Sequence, residues 1–119
     1  MEELIIISED SPTEKSLAPK KEGTVEYIKY HLLLENPYVF TEKEFFEEVH
    51  FNIREKRHLR ISSYSLKRVG LAKRYGWGIH IDKKSRIAIV RCESKLYEKL
   101  LIDPMVKKSK AYRNKKKNV

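Results

Sequence analysis

The chain has 119 residues, of which 40% are hydrophobic and 36% charged, and it carries a formal net charge of +9. That length supports one ordinary domain with a single core, and the apolar fraction excludes a chain disordered throughout. The charge is uneven: residues 1–50 hold 12 acidic and 5 basic side chains, residues 51–106 hold 5 and 14, and residues 107–119 hold none and 7.

The run Leu4-Ile5-Ile6-Ile7 predicts a buried or half-buried strand, closed at once by Ser8, Glu9, Asp10, Ser11 and Pro12. It is too short, and too acidic in front, for a signal peptide, and nothing approaches the roughly 20 apolar residues of a membrane span. With a lone cysteine, Cys92, no internal disulfide can form, so the expected compartment is reducing and the expected location cytoplasmic.

Residues 9–23 have no period and predict a loop. Thr24 then caps a helix with Val25, Ile28 and Leu32 on one face, ended by Asn36-Pro37. Thr41 and Glu44 have the spacing of a capping box opening a second helix through Phe45, Phe46 and Val49. The end of that helix is ambiguous, because Val49, Phe51 and Ile53 also alternate as a strand would. Ser63 or Ser65 is a candidate cap for a short helix with Leu66 and Val69, and Gly70 its candidate left-handed stop.

Residues 74–92 predict a β-hairpin whose register can be argued. A three-residue loop, Lys83-Lys84-Ser85, sets Ile81 opposite Ile87, Ile79 opposite Ile89 and Trp77 opposite Arg91. A two-residue loop would mix apolar and charged partners. Trp77 over Arg91 allows a cation–π contact. Ser94 caps a further helix ended by Asp103-Pro104, and residues 105–112 offer a weak last strand. The expected fold class is α+β: a small, mostly antiparallel sheet with about three helices on one face. Residues 1–106 are expected to form the domain and residues 107–119 a basic tail, partly disordered or ending in a short strand.

The segment Lys73-Arg74-Tyr75-Gly76-Trp77-Gly78-Ile79-His80 resembles the hallmark of a family of small bacterial and archaeal proteins known only as a domain of unknown function. Glu9-Asp10-Ser11-Pro12, Asn36-Pro37-Tyr38, the hairpin and the closing basic segment are similar too. Only about residues 51–65 fall outside the likeness. The family often has cysteine where this chain has Ser11, proline where it has Gly70, and glycine where it has Ser85. The resemblance implies a relative and carries no activity.

Two site hypotheses follow. Strand alternation sets Arg74, Gly76, Gly78 and His80 on one face, where the two glycines leave a trough between a guanidinium and an imidazole suited to a small anionic ligand. Its rival is that the glycines permit a bulge or a close neighbour. The other hypothesis is a nucleic-acid interface, RNA in preference to DNA, or another polyanion. It is made of Arg54, Lys56, Arg57 and Arg60, then Lys67, Arg68 and Lys73, then Lys107, Lys108, Lys110, Arg113, Lys115, Lys116 and Lys117. Lysines attract phosphates without reading bases, and a solubilising end would look the same. No cofactor or metal is expected. His31 with Glu35 and Glu47 with His50 sit one helical turn apart, but only one Glu-x-x-His repeat is present. Cys92 and His80 stand roughly 13 Å apart in the preferred register, too far for a nucleophilic pair.

Overall fold

The computed structural model describes residues 2–56, 58 and 64–113. Four strands form one sheet: β1 (Glu2–Ile6), β2 (Trp77–Ile81), β3 (Ile87–Arg91) and β4 (Val106–Lys110), in the spatial order β3-β2-β1-β4. The β1–β2 and β2–β3 pairs are antiparallel, and β4 lies parallel to β1. The fold is thus α+β with a mostly antiparallel sheet.

The hairpin has the register that its apolar pattern requires, with Trp77 opposite Arg91, Ile79 opposite Ile89 and Ile81 opposite Ile87. Its three-residue loop is closed by the Asp82 and Arg86 backbones, and Ser85 takes the left-handed conformation (φ 66°) that this turn demands. The Arg91 guanidinium lies 5.1 Å from the Trp77 ring centre.

Four helices surround the sheet: α1 (Val25–Glu35), α2 (Glu42–Glu47), α3 (Gly70–Lys73) and α4 (Lys95–Ile102). Thr24, Thr41 and Ser94 cap α1, α2 and α4 with their hydroxyls, and the Thr41–Glu44 capping box is complete. The ambiguity after Val49 resolves as a wide π-type helical turn over Glu48–Ile53, closed by the Arg54 amide on the Val49 carbonyl at 3.0 Å. Ser65 caps the 3-10 turn Leu66–Arg68. Gly70 does not stop a helix; it opens α3, where an added Cβ would meet Glu26 of α1 at 2.9 Å, so it serves close helix approach.

Ile5, Trp77, Ile79 and Ile87 present one face of the sheet to a core with Tyr30 and Leu33 of α1, Phe45 and Phe46 of α2 and Leu71 and Ala72 of α3. The expectation of a single covered face needs correction. Leu4, Val90 and Val106 point to the other side and bury against Tyr97 and Leu100 of α4. Two-sided burial explains the unbroken apolar run of β1, which like β2 has a neighbour on each edge.

The sheet edges are managed differently. Residues 38–41 run along β3, where Tyr38 N–H donates to the Ile87 carbonyl (2.9 Å) and Ile87 N–H to the Phe40 carbonyl (2.8 Å). The free edge of β4 carries Lys107, Lys108 and Lys110, a charge pattern that discourages edge-to-edge pairing. The 106/107 boundary therefore falls inside a strand, and residues 107–110 belong to the sheet.

Candidate functional site

The Tyr75-to-His80 segment is first a docking surface for the chain's own loop. Gly76 sits at φ 76° directly beneath the Lys15 carbonyl, which an added Cβ would approach to 2.7 Å. Leu17 N–H donates to the Tyr75 carbonyl (2.7 Å), and the Trp77 indole N–H donates to the Leu17 carbonyl (2.8 Å). Ser16 donates through its amide and its hydroxyl to the two oxygens of Glu93 (2.9 and 2.8 Å), with Arg91 3.6 Å from the same carboxylate. Beyond it, Gly78 lies under the Tyr97 ring, whose Cε2 would stand 2.5 Å from an added Cβ.

The trough is therefore filled, by residues 15–16 over Gly76 and by Tyr97 over Gly78, and the four residues proposed to frame it do not share an opening. The strand begins only at Trp77 and Arg74 caps the C-terminus of α3, so Arg74 turns to Glu26 of α1 (3.7 Å) while His80 stays on the α4 side of the sheet. The rival reading of the glycines, close approach of a neighbour, describes both of them.

Glu93 is the strongest electrostatic clamp on the docked loop. The Ser16 amide is the main cause, lowering its carboxyl from 4.5 to about 2. A depressed folded-state value stabilises the protein above the ordinary carboxylate range, and that stabilisation disappears as pH falls from about 4.5 toward 2. The side chain is about a third exposed, so screening leaves about 1 kcal/mol of it. In Glu93→Gln, the difference in urea midpoint from wild type should be full at pH 7 and should shrink as pH falls through that window. A difference independent of pH would refute the assignment.

Burial pushes the Cys92 thiol up, and its S–H donates to the Glu14 carbonyl at 3.3 Å. Among the described residues, no group of three or more His, Cys, Asp or Glu side chains is placed to hold a metal ion. No described helix is long and apolar enough to cross a membrane.

His80 is the residue of the segment that packing does not account for. It is 7% exposed, its Nδ1 lies 2.7 Å from the Tyr38 hydroxyl, and its Nε2 is buried without a hydrogen-bond partner, 3.6 Å from Glu2 Oε1. Tyr38 reaches it from a left-handed backbone position, φ 59°, which is costly for a bulky side chain and is a feature of functional sites. Burial, Asp82 and Glu2 all raise the Tyr38 phenol, so it keeps its proton. Sequence reasoning found His80 but neither Tyr38 nor Glu2 as its partners. A pairing 42 residues apart in sequence has no local signal, and the turn at Asn36-Pro37-Tyr38 was its sole trace.

The candidate cations fall into four groups. Lys110 and Arg113 share Glu9, and Lys108 Nζ donates to the carbonyls of Asp103 and Val106, so these three are engaged internally. Arg54 donates to His50 Nδ1 at 2.6 Å. Burial, Lys29 and Arg54 lower that imidazole to about 4, so it accepts as the neutral ring and Arg54 keeps its full charge. Lys56, Lys67, Arg68, Lys73 and Lys107 make no ion pair with a described residue. Arg57, Arg60, Lys115, Lys116 and Lys117 lie outside the described residues.

Two of the basic segments meet. The Tyr112 amide donates to the Lys67 carbonyl (2.9 Å), and Arg68 stacks over the Tyr112 ring at 5.5 Å. Lys67 and Lys107 line one hollow of about 470 Å³, together with Lys43. Thr41, Ser65, Ser85 and Ile81 also border it, with Ile5 and Ile87 buried beneath and Glu3 and Glu42 also present. Glu42 accepts from the Leu66 amide and Glu3 from the Ser109 hydroxyl, so both carboxylates have structural duties.

No curated protein and no solved structure matches the chain. A family model does, over residues 1–117, which takes in the docking segment, the Tyr38–His80 pair and the lysines of that hollow. The chain thus belongs to the family described as a family of unknown function, DUF6157.

Proposed function

We propose that the protein is a non-catalytic module that associates with nucleic acid, single-stranded RNA above all, in the cytoplasm. The observation that carries this reading is the meeting of Lys43, Lys67 and Lys107 around one hollow, beside Arg68 and the start of the basic tail. Lysine ammonium groups at a rim neutralise phosphates, and hydroxyls between them offer further donors to phosphate oxygens. Half-buried Ile81 offers an apolar patch to an unstacked base, which a single strand presents and a duplex does not. A free thiol, Cys92, is consistent with a reducing compartment.

The test is fluorescence anisotropy with a labelled single-stranded RNA of mixed sequence across a salt series. Engagement of about four cations gives a slope of log affinity on log salt of about −3 for a single strand, and steeper if the tail takes part. The Lys67→Glu/Lys107→Glu double variant should bind at least about tenfold more weakly at low salt and with a shallower slope. If these lysines only guard the β4 edge, the variant will bind RNA as wild type does. That result, or a slope near zero, would defeat the proposal.

A further inference from the structure

Among the described residues, which include every Phe, Tyr and Trp of the chain, Tyr112 is the one exposed aromatic side chain, at 47%. The other rings are buried or half-buried. A single exposed ring means little by itself. The second observation is where this one stands. Arg68 lies over it, with the guanidinium carbon 5.5 Å from the ring centre, and its amide donates to the carbonyl of Lys67, which lines the lysine hollow.

The ring is carried at a fixed place. The Ala111 amide donates to the Ile6 carbonyl (2.9 Å) and the Tyr112 amide to the Lys67 carbonyl (2.9 Å), so the chain is pinned to β1 on one side and to the 66–68 turn on the other. That turn is anchored in its own right by buried Leu66 and by the Arg68 amide on the Ser65 carbonyl (3.0 Å). The bond to Lys67 uses main-chain atoms, so any residue but proline at position 112 would make it, and the tether does not account for a ring. Arg68 is exposed and makes no ion pair with a described residue. A guanidinium plane over an aromatic ring keeps its full charge while it backs the ring, which leaves the exposed part of the ring to a second flat group. A nucleobase is such a group: every base has a π face, and it brings a phosphate to cations nearby.

We propose that Tyr112 and Arg68 form a stacking platform for an unpaired RNA base, next to the lysines that hold the strand's phosphates. The platform deepens the RNA-binding proposal, on which it rests, because it names the residues that tell a base-bearing single strand from a bare polyanion. Arg68 has two parts in it: it backs the Tyr112 ring, and it offers its charge to the phosphate beside the stacked base.

The experiment compares two labelled probes of equal length by fluorescence anisotropy, a single-stranded RNA of mixed sequence and the same ribose-phosphate backbone with every base removed. Wild type should bind the base-bearing strand at least about fivefold more tightly, the lower end of the range for one stacked base. Tyr112→Ala should lose that preference, yet keep the wild-type affinity for the abasic strand and the wild-type salt slope, because the ring carries no charge. Tyr112→Phe should keep the preference. Arg68→Gln should reduce it and also flatten the slope by about 0.7, the share of one phosphate contact on a single strand. Lys67→Glu/Lys107→Glu, by contrast, should weaken both probes alike. Urea midpoints close to wild type certify the fold of each variant. Equal wild-type affinity for the two probes would overturn the platform and leave the lysine hollow as a phosphate site. Full preference in Tyr112→Ala would put the base elsewhere, on Ile81 for instance, and would overturn it as well. Failure of wild type to bind either probe would defeat both proposals.

Discussion

Gly76→Ala should destabilise the fold by about 3 kcal/mol, the combined cost of a left-handed alanine and of overpacking against atoms that cannot step aside. The contact atoms are the Lys15 carbonyl oxygen at 2.7 Å, the Lys15 carbonyl carbon at 3.1 Å and Ser16 Cα at 3.2 Å, all backbone. Relieving the clash means lifting residues 15–17, and that breaks the Leu17–Tyr75 and Trp77–Leu17 hydrogen bonds and the Ser16–Glu93 clamp together. Gly23→Ala isolates the conformational part, because Gly23 has nearly the same φ (81°) with nothing within 4 Å of an added Cβ. It should cost only about 1–2 kcal/mol. Urea unfolding of both variants measures the difference. Equal losses at the two positions would show that the loop is not seated on Gly76.

This dependence on a docked loop shows why part of the fold was legible and part was not. The hairpin register could be argued from Ile79, Ile81, Ile87 and Ile89 because alternation within one short segment admits a single pairing that keeps isoleucine on isoleucine. The caps at Thr24, Thr41 and Ser94 were legible for the same reason: a hydroxyl and an amide three residues on are neighbours by covalent geometry. The glycines of Lys73-Arg74-Tyr75-Gly76-Trp77-Gly78 marked a place where backbone must be approached closely. What approaches, Lys15 from about 60 residues upstream and Tyr97 from about 20 downstream, is a tertiary fact with no local trace.

The same limit governs the site. His80 stood out as an imidazole beside glycines, but alternation alone assigned it to Arg74, which in fact closes α3 ahead of the strand and turns toward Glu26. Its partners instead come from the β3 edge strap and from β1. The basic clusters were legible as composition, yet half of their meaning is spatial. Glu9 takes Lys110 and Arg113 out of play, whereas the Tyr112–Lys67 bond brings the 66–68 turn to the tail and leaves Lys67 and Lys107 facing one hollow. Charge along a chain predicts a field; which cations are free to meet a phosphate is decided by packing.

Gly78 and Tyr97 form a pair whose coupling should exceed 1 kcal/mol in a double-mutant cycle, the range for residues in direct contact. Gly78→Ala alone drives a methyl to 2.5 Å from Cε2 and 2.9 Å from Cδ2 of the Tyr97 ring, an overpacking cost of about 1–3 kcal/mol. Tyr97→Leu alone leaves a void beneath α4 and removes the acceptor for the Ile7 amide at 3.2 Å, a loss of about 2–4 kcal/mol. In the double variant the new methyl enters the space the ring has vacated, so the combined loss should fall short of the sum of the single losses. The cycle separates two accounts of the glycine. If Gly78 exists to seat α4, the coupling is large, and RNA binding survives in whatever variants remain folded. If the glycine face were an open ligand trough, filling it with a methyl would leave stability nearly untouched, and the two changes would simply add.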